Sequence, residues 1–322
     1  MKAIVYKKYG APEDVLRFED VPKPVPKDDE VLVKVFAASI NEWDWSMVRA
    51  AAIFVRFWGL FKPRHQIPGA DIAGTVEAVG SSVTRFKPGD EVFGDLNQNG
   101  WGGYAEYVCS RENGLAPKPP SLTFEQAAAI PQAGVMALQG IRDYGKVQPG
   151  DKVLINGAGG AVGTFAVQIA KMFGADVTAV DTTAKLDKIR ALGADHLIDF
   201  TREDFTRSGQ RYDLILDVSG FRSVFDHQRA LAPGGKCFYI GGSMPRILQT
   251  LFMGPIVGMA SGKKLWFLGL DTNKDLAFFG DAMASGKVTP VIDKVFPLAD
   301  TVAALQHYES GDFVGKIVIS VG

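Results

Sequence analysis

Short apolar runs bounded by polar turn residues dominate the first third of the chain. Their length and their β-branched and aromatic residues are typical of strands. Turn clusters such as Pro22-Lys-Pro-Val-Pro26 and Lys87-Pro-Gly-Asp90 separate them. The pattern predicts a partly closed, largely antiparallel sheet, with strands at residues 1–6, 30–37, 72–79, 91–93 and 105–108.

Beyond Pro117-Lys-Pro-Pro120 the pattern changes to strands that alternate with helices. Such alternation implies right-handed crossovers and a parallel, doubly wound α/β sheet. Helices are predicted at residues 163–173, 184–192 and 223–230. Strands are predicted at residues 153–156, 177–180, 196–199, 214–218, 236–240 and 264–268.

The end of the chain returns to the character of the first third. It has a predicted helix at 275–285 and extended runs at 291–296 and 316–320. A chain of 322 residues is long enough for two domains. We therefore expect a β-rich domain over residues 1–122 and 271–322, interrupted by an α/β domain over residues 123–270.

The run Gly157-Ala-Gly159-Gly160-Ala-Val-Gly163 lies between a predicted strand and a predicted helix. A tight glycine turn lets the backbone approach a pyrophosphate, and the helix N-terminus offers it unpaired N–H groups. This context predicts a dinucleotide site of the Rossmann type, with the pyrophosphate over residues 159–162. The alternative is a structural turn without a ligand.

Composition excludes several classes of protein. A hydrophobic content of 47%, a charged content of 22% and a net charge of −1 indicate a globular protein without a basic surface for nucleic acid. Only Cys109 and Cys237 are present, which excludes a disulfide framework and suits a cytoplasmic protein. No signal peptide is predicted, and the apolar residues 247–260 are too short and too broken for a transmembrane segment.

Several motifs together resemble the medium-chain dehydrogenase/reductase superfamily, and within it the zinc-independent quinone oxidoreductase branch. The likeness covers nearly the whole chain. It implies a GroES-like catalytic domain beside a Rossmann domain. The motifs are Ala38-Ser-Ile-Asn41-Glu-Trp-Asp44-Trp45, Pro68-Gly-Ala-Asp71-Ile-Ala-Gly74, Phe86-Lys-Pro-Gly-Asp90, Gly102-Gly-Tyr-Ala-Glu-Tyr107, the glycine turn, Leu192-Gly-Ala-Asp195, Asp213-Leu-Ile-Leu-Asp217 and Gly234-Gly-Lys236.

The ligands of a catalytic zinc are missing from this resemblance. Asn41 stands about where the alcohol-dehydrogenase branch has a Cys, and Ala70-Asp71 replaces its His–Glu pair. Residues 130–134 supply no further Cys, and the four His residues are scattered. Since zinc needs thiolate or imidazole ligands, we expect no metal.

Without a Lewis acid, reduction of a quinone or activated C=C is easier than oxidation of an alcohol, because a conjugated acceptor delocalises the incoming charge. Asn41 is the best candidate to donate a hydrogen bond near the nicotinamide ribose or the substrate oxygen; the alternative is a turn residue. Trp45 is expected to wall the substrate pocket or to pack at a domain seam. Asp44 is expected to cap a helix, and the proton is expected from solvent.

The preference between the two nicotinamide cofactors stays open. Asp181 is placed to accept from the adenosine ribose, which favours NAD(H). Thr182, Thr183 and Lys185 suit a 2′-phosphate, and the resembled branch generally uses NADPH, so NADP(H) is slightly preferred. The expected cofactor contacts are Gly157, Gly159, Gly160, Ala161, Val162, Gly163, Asp181, Thr182, Thr183, Lys185, Gly241 and Gly242.

We therefore expect a zinc-independent, NAD(P)H-dependent reductase of quinones or other α,β-unsaturated carbonyl compounds. The alternatives are an alcohol or aldehyde oxidoreductase and a cofactor-binding protein with little turnover. The apolar residues 50–61 and 247–260 either wall a pocket for an apolar, conjugated substrate or seal an interface. A homodimer is an open alternative to a monomer.

Overall fold

The computed structural model describes residues 1–50 and 62–322, which form two compact units. The first unit comprises Met1–Val135, Asp271–Ala284 and Ile292–Gly322. The second unit comprises Met136–Leu270 and Ser285–Val291. Secondary-structure elements are numbered along the whole chain, so the second unit carries the middle numbers.

The boundary between the units differs from the expected one at residues 122 and 123. Helix α3 (Phe124–Ala128) packs in the first unit, where the Phe124 ring stacks on the Phe36 ring with 4.6 Å between centroids. Thr123 caps this helix by accepting a hydrogen bond from Gln126 N at 3.2 Å. These contacts hold α3 in the first unit, which continues through Val135.

The first unit contains a largely antiparallel sheet, as the sequence predicts; within it, β14 and β15 pair parallel. The strands of the unit are β1 (Lys2–Val5), β2 (Arg17–Asp20), β3 (Glu30–Ser39), β4 (Asp71–Val79), β5 (Glu91–Asp95), β6 (Tyr107–Arg111), β7 (Ala116–Pro117), β14 (Ile292–Pro297) and β15 (Lys316–Ser320). Its helices are α1 (Pro12–Val15), α2 (Glu42–Arg49), α3, the first part of α4 (Pro131–Leu138), α9 (Leu276–Ala284) and α10 (Thr301–Ser310).

Strand β3 is the long central strand of this sheet. The order is β14-β15-β3-β4-β5-β7, with β6 also paired to β3, while β1 and β2 form a separate two-stranded sheet. Strands β3 and β4 pair antiparallel from Val31↔Val79 to Ser39↔Asp71. This register places the carboxyl end of β3 beside the start of β4, so the polar residues that flank both strands lie close together.

The second unit contains the predicted parallel sheet, which confirms the doubly wound α/β fold. Six strands lie in the order β10-β9-β8-β11-β12-β13, with the topological switch point between β8 and β11. The strands are β8 (Lys152–Asn156), β9 (Asp176–Asp181), β10 (His196–Asp199), β11 (Tyr212–Asp217), β12 (Leu231–Tyr239) and β13 (Lys264–Phe267). The helices are α5 (Ala161–Met172), α6 (Thr183–Ala191), α7 (Val224–Ala230) and α8 (Met244–Ser261).

The apolar segment 247–260 forms most of α8, which contains Pro255. One side is buried against β13, since a Cβ on Gly254 would lie 2.5 Å from the Leu265 carbonyl oxygen. The other side is open: Phe252 is 70% and Met259 is 83% exposed. Among the described residues, no helix has both the length and the apolarity needed to span a membrane.

Candidate functional site

A glycine-rich turn joins β8 to α5 in the second unit. Gly157 adopts a φ of +87°, which favours glycine, and a Cβ on Gly163 would overlap the Gly157 carbonyl oxygen. Gly160 is the N-cap of α5, and a Cβ there would meet only the Gly157 oxygen at 3.4 Å. The N–H groups of Ala161 and Val162 lie in the first helical turn, where they have no intrahelical partner. The open space at Gly160 and these donors fit a pyrophosphate.

Two other N–H groups of the turn are engaged within the protein. Gly159 N donates to Asp181 Oδ2 at 2.7 Å, and Gly160 N donates to the Gly157 carbonyl oxygen at 3.2 Å. Of the residues 159–162 that are expected to contact the phosphate, only Ala161 and Val162 therefore have N–H groups available for it.

Asp181, the last residue of β9, lies against this turn. Besides the bond from Gly159, its Oδ1 accepts from Thr182 N at 2.9 Å. Lys185 Nζ lies 4.0 Å from the same oxygen. The carboxylate is 8% exposed at the carboxyl edge of the sheet, where an acidic side chain can accept from ribose hydroxyls.

Thr183 does not present a free hydroxyl to this edge. Its Oγ1 donates a short hydrogen bond to Asp199, the last residue of β10. Asp199 is in register with Asp181 on the neighbouring parallel strand. Hydrogen bonds from Thr183 and Thr201 lower the pKa of Asp199, so this second carboxylate is charged at neutral pH.

Gly241 and Gly242 follow β12 and contact the loop after β11. Gly242 adopts a φ of +139°, and a Cβ there would lie 2.9 Å from the Gly220 carbonyl oxygen. A Cβ on Gly157 would in turn meet Ser219. The structure thus brings the two predicted glycines and the turn to one loop, residues 218–220.

A buried polar network, which is not predicted from the sequence, anchors this loop. Asp217 Oδ1 accepts from Asn156 Nδ2 at 2.7 Å and from Gly220 N at 3.0 Å. His227 Nε2 lies 3.4 Å from Asp217 Oδ2, and its Nδ1 is 3.0 Å from the Tyr239 hydroxyl. Burial lowers the pKa of His227, which keeps it neutral. The sequence does contain a signal for this network, because Asn156 and Asp217 are polar residues at the ends of β8 and β11, the two strands that meet at the switch point.

In the first unit, Asn41 is the N-cap of α2, and the helix begins at Glu42. Asp44 is not the cap but lies three residues later, where its Oδ2 accepts from Asn41 N at 2.8 Å. Its Oδ1 accepts from Gly69 N and Ala70 N, each at 3.1 Å. Burial raises the pKa of Asp44 to about 7, although these N–H donors favour its charged form.

Lys316, at the start of β15, is the residue that sequence reasoning missed. Its fully buried ammonium donates to Asn41 Oδ1 at 2.5 Å and to the Ile40 carbonyl oxygen at 3.1 Å, and lies 3.5 Å from Asp71 Oδ2. Burial lowers its pKa, while the Asp71 charge opposes that shift. We call Asn41, Asp44, Asp71, Asp95 and Lys316 the buried polar cluster.

The cluster contains buried polar atoms without partners. Asn41 Nδ2 and Asp95 Oδ2 have no hydrogen bond of acceptable geometry to any residue that the structure describes, and the same holds for Nε2 of Gln132, whose backbone N–H donates to Asp71. The Asn41 amide nevertheless interacts with Asp71, because a hydrogen bond from it counteracts the burial that raises the pKa of Asp71. Because Lys316 holds Oδ1, the amide orients its Nδ2 as the available donor.

Trp45 lies on α2 and packs against the apolar core of the first unit. The Arg49 guanidinium lies 5.3 Å from its ring centroid. Its indole Nε1 is buried and has no hydrogen-bond partner among the described residues. These contacts are those of a packing residue with one unused donor.

The remaining predicted features concern a metal and an apolar wall. Over residues 1–50 and 62–322, no group of three His, Cys, Asp or Glu side chains is arranged to hold a metal ion. One of the two segments of the expected wall is 50–61, and its residues 51–61 lie outside the described residues. The other segment is the exposed side of α8, with Leu248, Leu251, Phe252, Ile256 and Met259.

Known proteins resemble this chain along its whole length. Residues 27–120 match the alcohol dehydrogenase GroES-like domain, which confirms the GroES-like assignment, and residues 192–319 match the zinc-binding dehydrogenase domain. A 2-methylene-furan-3-one reductase of Solanum lycopersicum is 35% identical over 99% of this chain and 79% of its own. A chloroplastic quinone oxidoreductase of Triphysaria versicolor is 32% identical over 99% of this chain and 98% of its own. The solved quinone oxidoreductase of Coxiella burnetii has a TM-score of 0.89 at 29% identity, covering 100% of this chain and 99% of that one.

Proposed function

The chain belongs to the quinone oxidoreductase branch of the medium-chain dehydrogenase/reductase superfamily, and on that basis we propose that it reduces quinones or other α,β-unsaturated carbonyl compounds with NAD(P)H. One observation carries the proposal. The chain aligns over 99% of its length with a 2-methylene-furan-3-one reductase and with a quinone oxidoreductase, whose named substrates are both conjugated carbonyl compounds. Such acceptors delocalise the charge of an incoming hydride without a metal.

We assign the cofactor to the glycine turn of the second unit. A bound dihydronicotinamide would supply the hydride. The turn and the N-terminus of α5 would hold the pyrophosphate, and Asp181 would accept from the adenosine ribose. The absence of a catalytic metal stays a prediction.

Within this assignment, the contacts favour NAD(H) over the NADP(H) that the sequence slightly favours. Asp181 lies at the turn, where a carboxylate would repel a 2′-phosphate. The Lys185 ammonium lies 4.0 Å from Asp181, and the Thr183 hydroxyl donates to Asp199. Of the side chains of Thr182, Thr183 and Lys185, which the sequence suggests for the 2′-phosphate, only that of Thr182 is thus not engaged by a carboxylate among the described residues.

On the substrate side, we propose that Asn41 Nδ2 donates a hydrogen bond to a ligand oxygen. Lys316 holds the opposite end of the amide at 2.5 Å, which fixes the donor orientation. Trp45 contributes packing rather than chemistry in this proposal. The described residues of the cluster offer no exposed acid, so the proton comes from water.

A substrate panel tests the proposal. Purified protein is assayed with quinones, enones and ketones against NADH and NADPH, and with alcohols against the oxidised cofactors. We expect turnover of quinones or enones, unchanged by a chelator. Turnover confined to alcohols and aldehydes would support the alcohol oxidoreductase alternative. Tight cofactor binding without turnover of any substrate would support a cofactor-binding protein.

Two further expectations stay predictions. They are a cytoplasmic location and a homodimer. Sedimentation analysis of the purified protein measures the second directly.

A further inference from the structure

The segment after β10 contains the same four residues twice. Asp199-Phe-Thr-Arg202 is followed, after one Glu, by Asp204-Phe-Thr-Arg207. Asp199 Oδ1 accepts from Thr201 N at 2.9 Å and from Thr201 Oγ1 at 2.7 Å. Asp204 Oδ1 accepts from Thr206 N at 3.0 Å and from Thr206 Oγ1 at 2.7 Å. The two carboxylates therefore have the same local turn, and only their surroundings differ.

The surroundings distinguish the two copies. Asp199 ends a strand of the parallel sheet, in register with Asp181, and its second oxygen accepts from the Thr183 hydroxyl. Asp204 lies outside the strands, and its second oxygen pairs with Arg222 at 3.0 Å. Only Asp199 is thus tied to the residues that follow β9, next to the glycine turn.

We propose that Asp199 is a second determinant of cofactor specificity, which disfavours NADPH by engaging the groups that could bind a 2′-phosphate. The inference rests on the proposed cofactor site at the glycine turn. Asp199 engages the Thr183 hydroxyl, and Arg202 Nε lies 3.4 Å from Asp199 Oδ2. It also adds a negative charge to the strand edge that already carries Asp181. A ribose 2′-hydroxyl is uncharged and does not need these groups, so NADH binding is unaffected.

The test compares Asp199→Asn with its internal match, Asp204→Asn, by fluorescence titration of each purified variant with NADH and with NADPH. Asn retains an oxygen for the Thr201 N–H but removes the charge and releases Arg202. We expect Asp199→Asn to lower the Kd for NADPH about fivefold or more, with the Kd for NADH changed by less than about twofold. Asp204→Asn should change neither. An unchanged NADPH/NADH ratio in Asp199→Asn, or an equal shift in Asp204→Asn, would overturn the proposal.

A second variant tests the engaged hydroxyl without touching the charge. Because the Thr183 hydroxyl already donates to Asp199, Thr183→Val should leave the NADPH/NADH ratio of the Kd values unchanged. A selective loss of NADPH affinity would mean that the hydroxyl binds the phosphate, and the proposal would be wrong. Failure of the unmodified protein to bind either cofactor would instead reject the proposed cofactor site, which separates the two hypotheses.

Discussion

The glycine turn with Asp181 and the buried polar cluster are both polar, but they are built in opposite ways. The first uses residues close in sequence, from Gly157 to Lys185, and presents backbone N–H groups beside an open space. The second joins Asp71 to Lys316, which are 245 residues apart, in an interior where both side chains are 0% exposed. A site at an edge can exchange its partners for a ligand, whereas the charged groups of a buried cluster must compensate one another.

This difference predicts where substitutions act. At the turn, a changed side chain meets a ligand, so the affected quantity is cofactor affinity. In the cluster, removal of a charged side chain leaves another charge without compensation, so the affected quantity is the free energy of unfolding. The two regions should therefore be separable by measuring binding and stability on the same variants.

The largest effect is expected from Lys316→Met. This change keeps the length of the side chain but leaves Asp71 without its buried cation, which should lower the free energy of unfolding by about 3–5 kcal/mol. Urea unfolding of the purified protein measures it. The control is the double variant Lys316→Met with Asp71→Asn, which removes both charges and should recover much of the loss. If the double variant were as unstable as the single one, charge compensation would not be the reason for Lys316.

The next effect belongs to the turn, where Gly160 offers a matched pair of substitutions. A Cβ fits at this position, so Gly160→Ala should alter cofactor affinity little. Gly160→Asp adds a negative charge beside the proposed pyrophosphate, and repulsion of about 3 kcal/mol would weaken binding on the order of a hundredfold. Titration with NADH measures the affinity of both variants. Thermal unfolding is the control, and the unfolding temperature of each variant should lie close to that of the native protein. Equal affinities for the two variants would place the phosphate elsewhere.

The same contrast explains what the sequence predicted. The turn was predictable because strand, glycines and helix are consecutive, and Asp181 follows the next strand. The commitment of Thr183 to Asp199 was not, because it depends on the register between β9 and β10. Spacing along the sequence does not reveal whether a hydroxyl already has a partner in the fold.

The cluster was only partly predictable. Asn41 and Asp71 are predicted to replace zinc ligands, but Lys316 carries no local signal, since its partners are the two residues between β3 and α2 and the first residue of β4. The cap of α2 could have been assigned better. A side chain three residues into a helix often bonds back to the N-cap N–H, and Asp44 does so with Asn41.

A smaller effect is expected from pH. The pKa of Asp44 is raised from its ordinary value of 3.8 to about 7 in the folded chain, because burial disfavours its charge. The folded chain therefore binds more protons than the unfolded chain between these values, and the contribution of Asp44 to stability is lost as pH rises toward 7. Urea unfolding at about pH 5 and about pH 8 should show the native protein losing on the order of 1 kcal/mol relative to Asp44→Asn.

An exposed carboxylate, Asp20, serves as a control because its effect on stability should depend on pH in the opposite direction. The hydrogen bond from Lys2 lowers the pKa of Asp20, so its contribution is present at neutral pH and is lost as pH falls. The stability of the native protein relative to Asp20→Asn should therefore not decline as pH rises. If Asp44→Asn and Asp20→Asn gave the same pH dependence, burial would not control the proton of Asp44.

The smallest effect is expected at the turn itself, in the relative affinities for NADPH and NADH. Removal of the Asp181 charge relieves repulsion of about 1 kcal/mol against a 2′-phosphate, so Asp181→Ser should shift the ratio of affinities toward NADPH by roughly fivefold. The same change removes the acceptor of Gly159 N, so NADH binding itself should weaken. Asp176, at the other end of β9, pairs with His196 at 2.9 Å, and Asp176→Ser is the matched control with no expected change in the ratio. If Asp181→Ser weakened the binding of NADH and NADPH equally, Asp181 would support the turn without contacting the ribose. The carboxylate would then have a structural role at the sheet edge, as Asp71 has in the buried cluster.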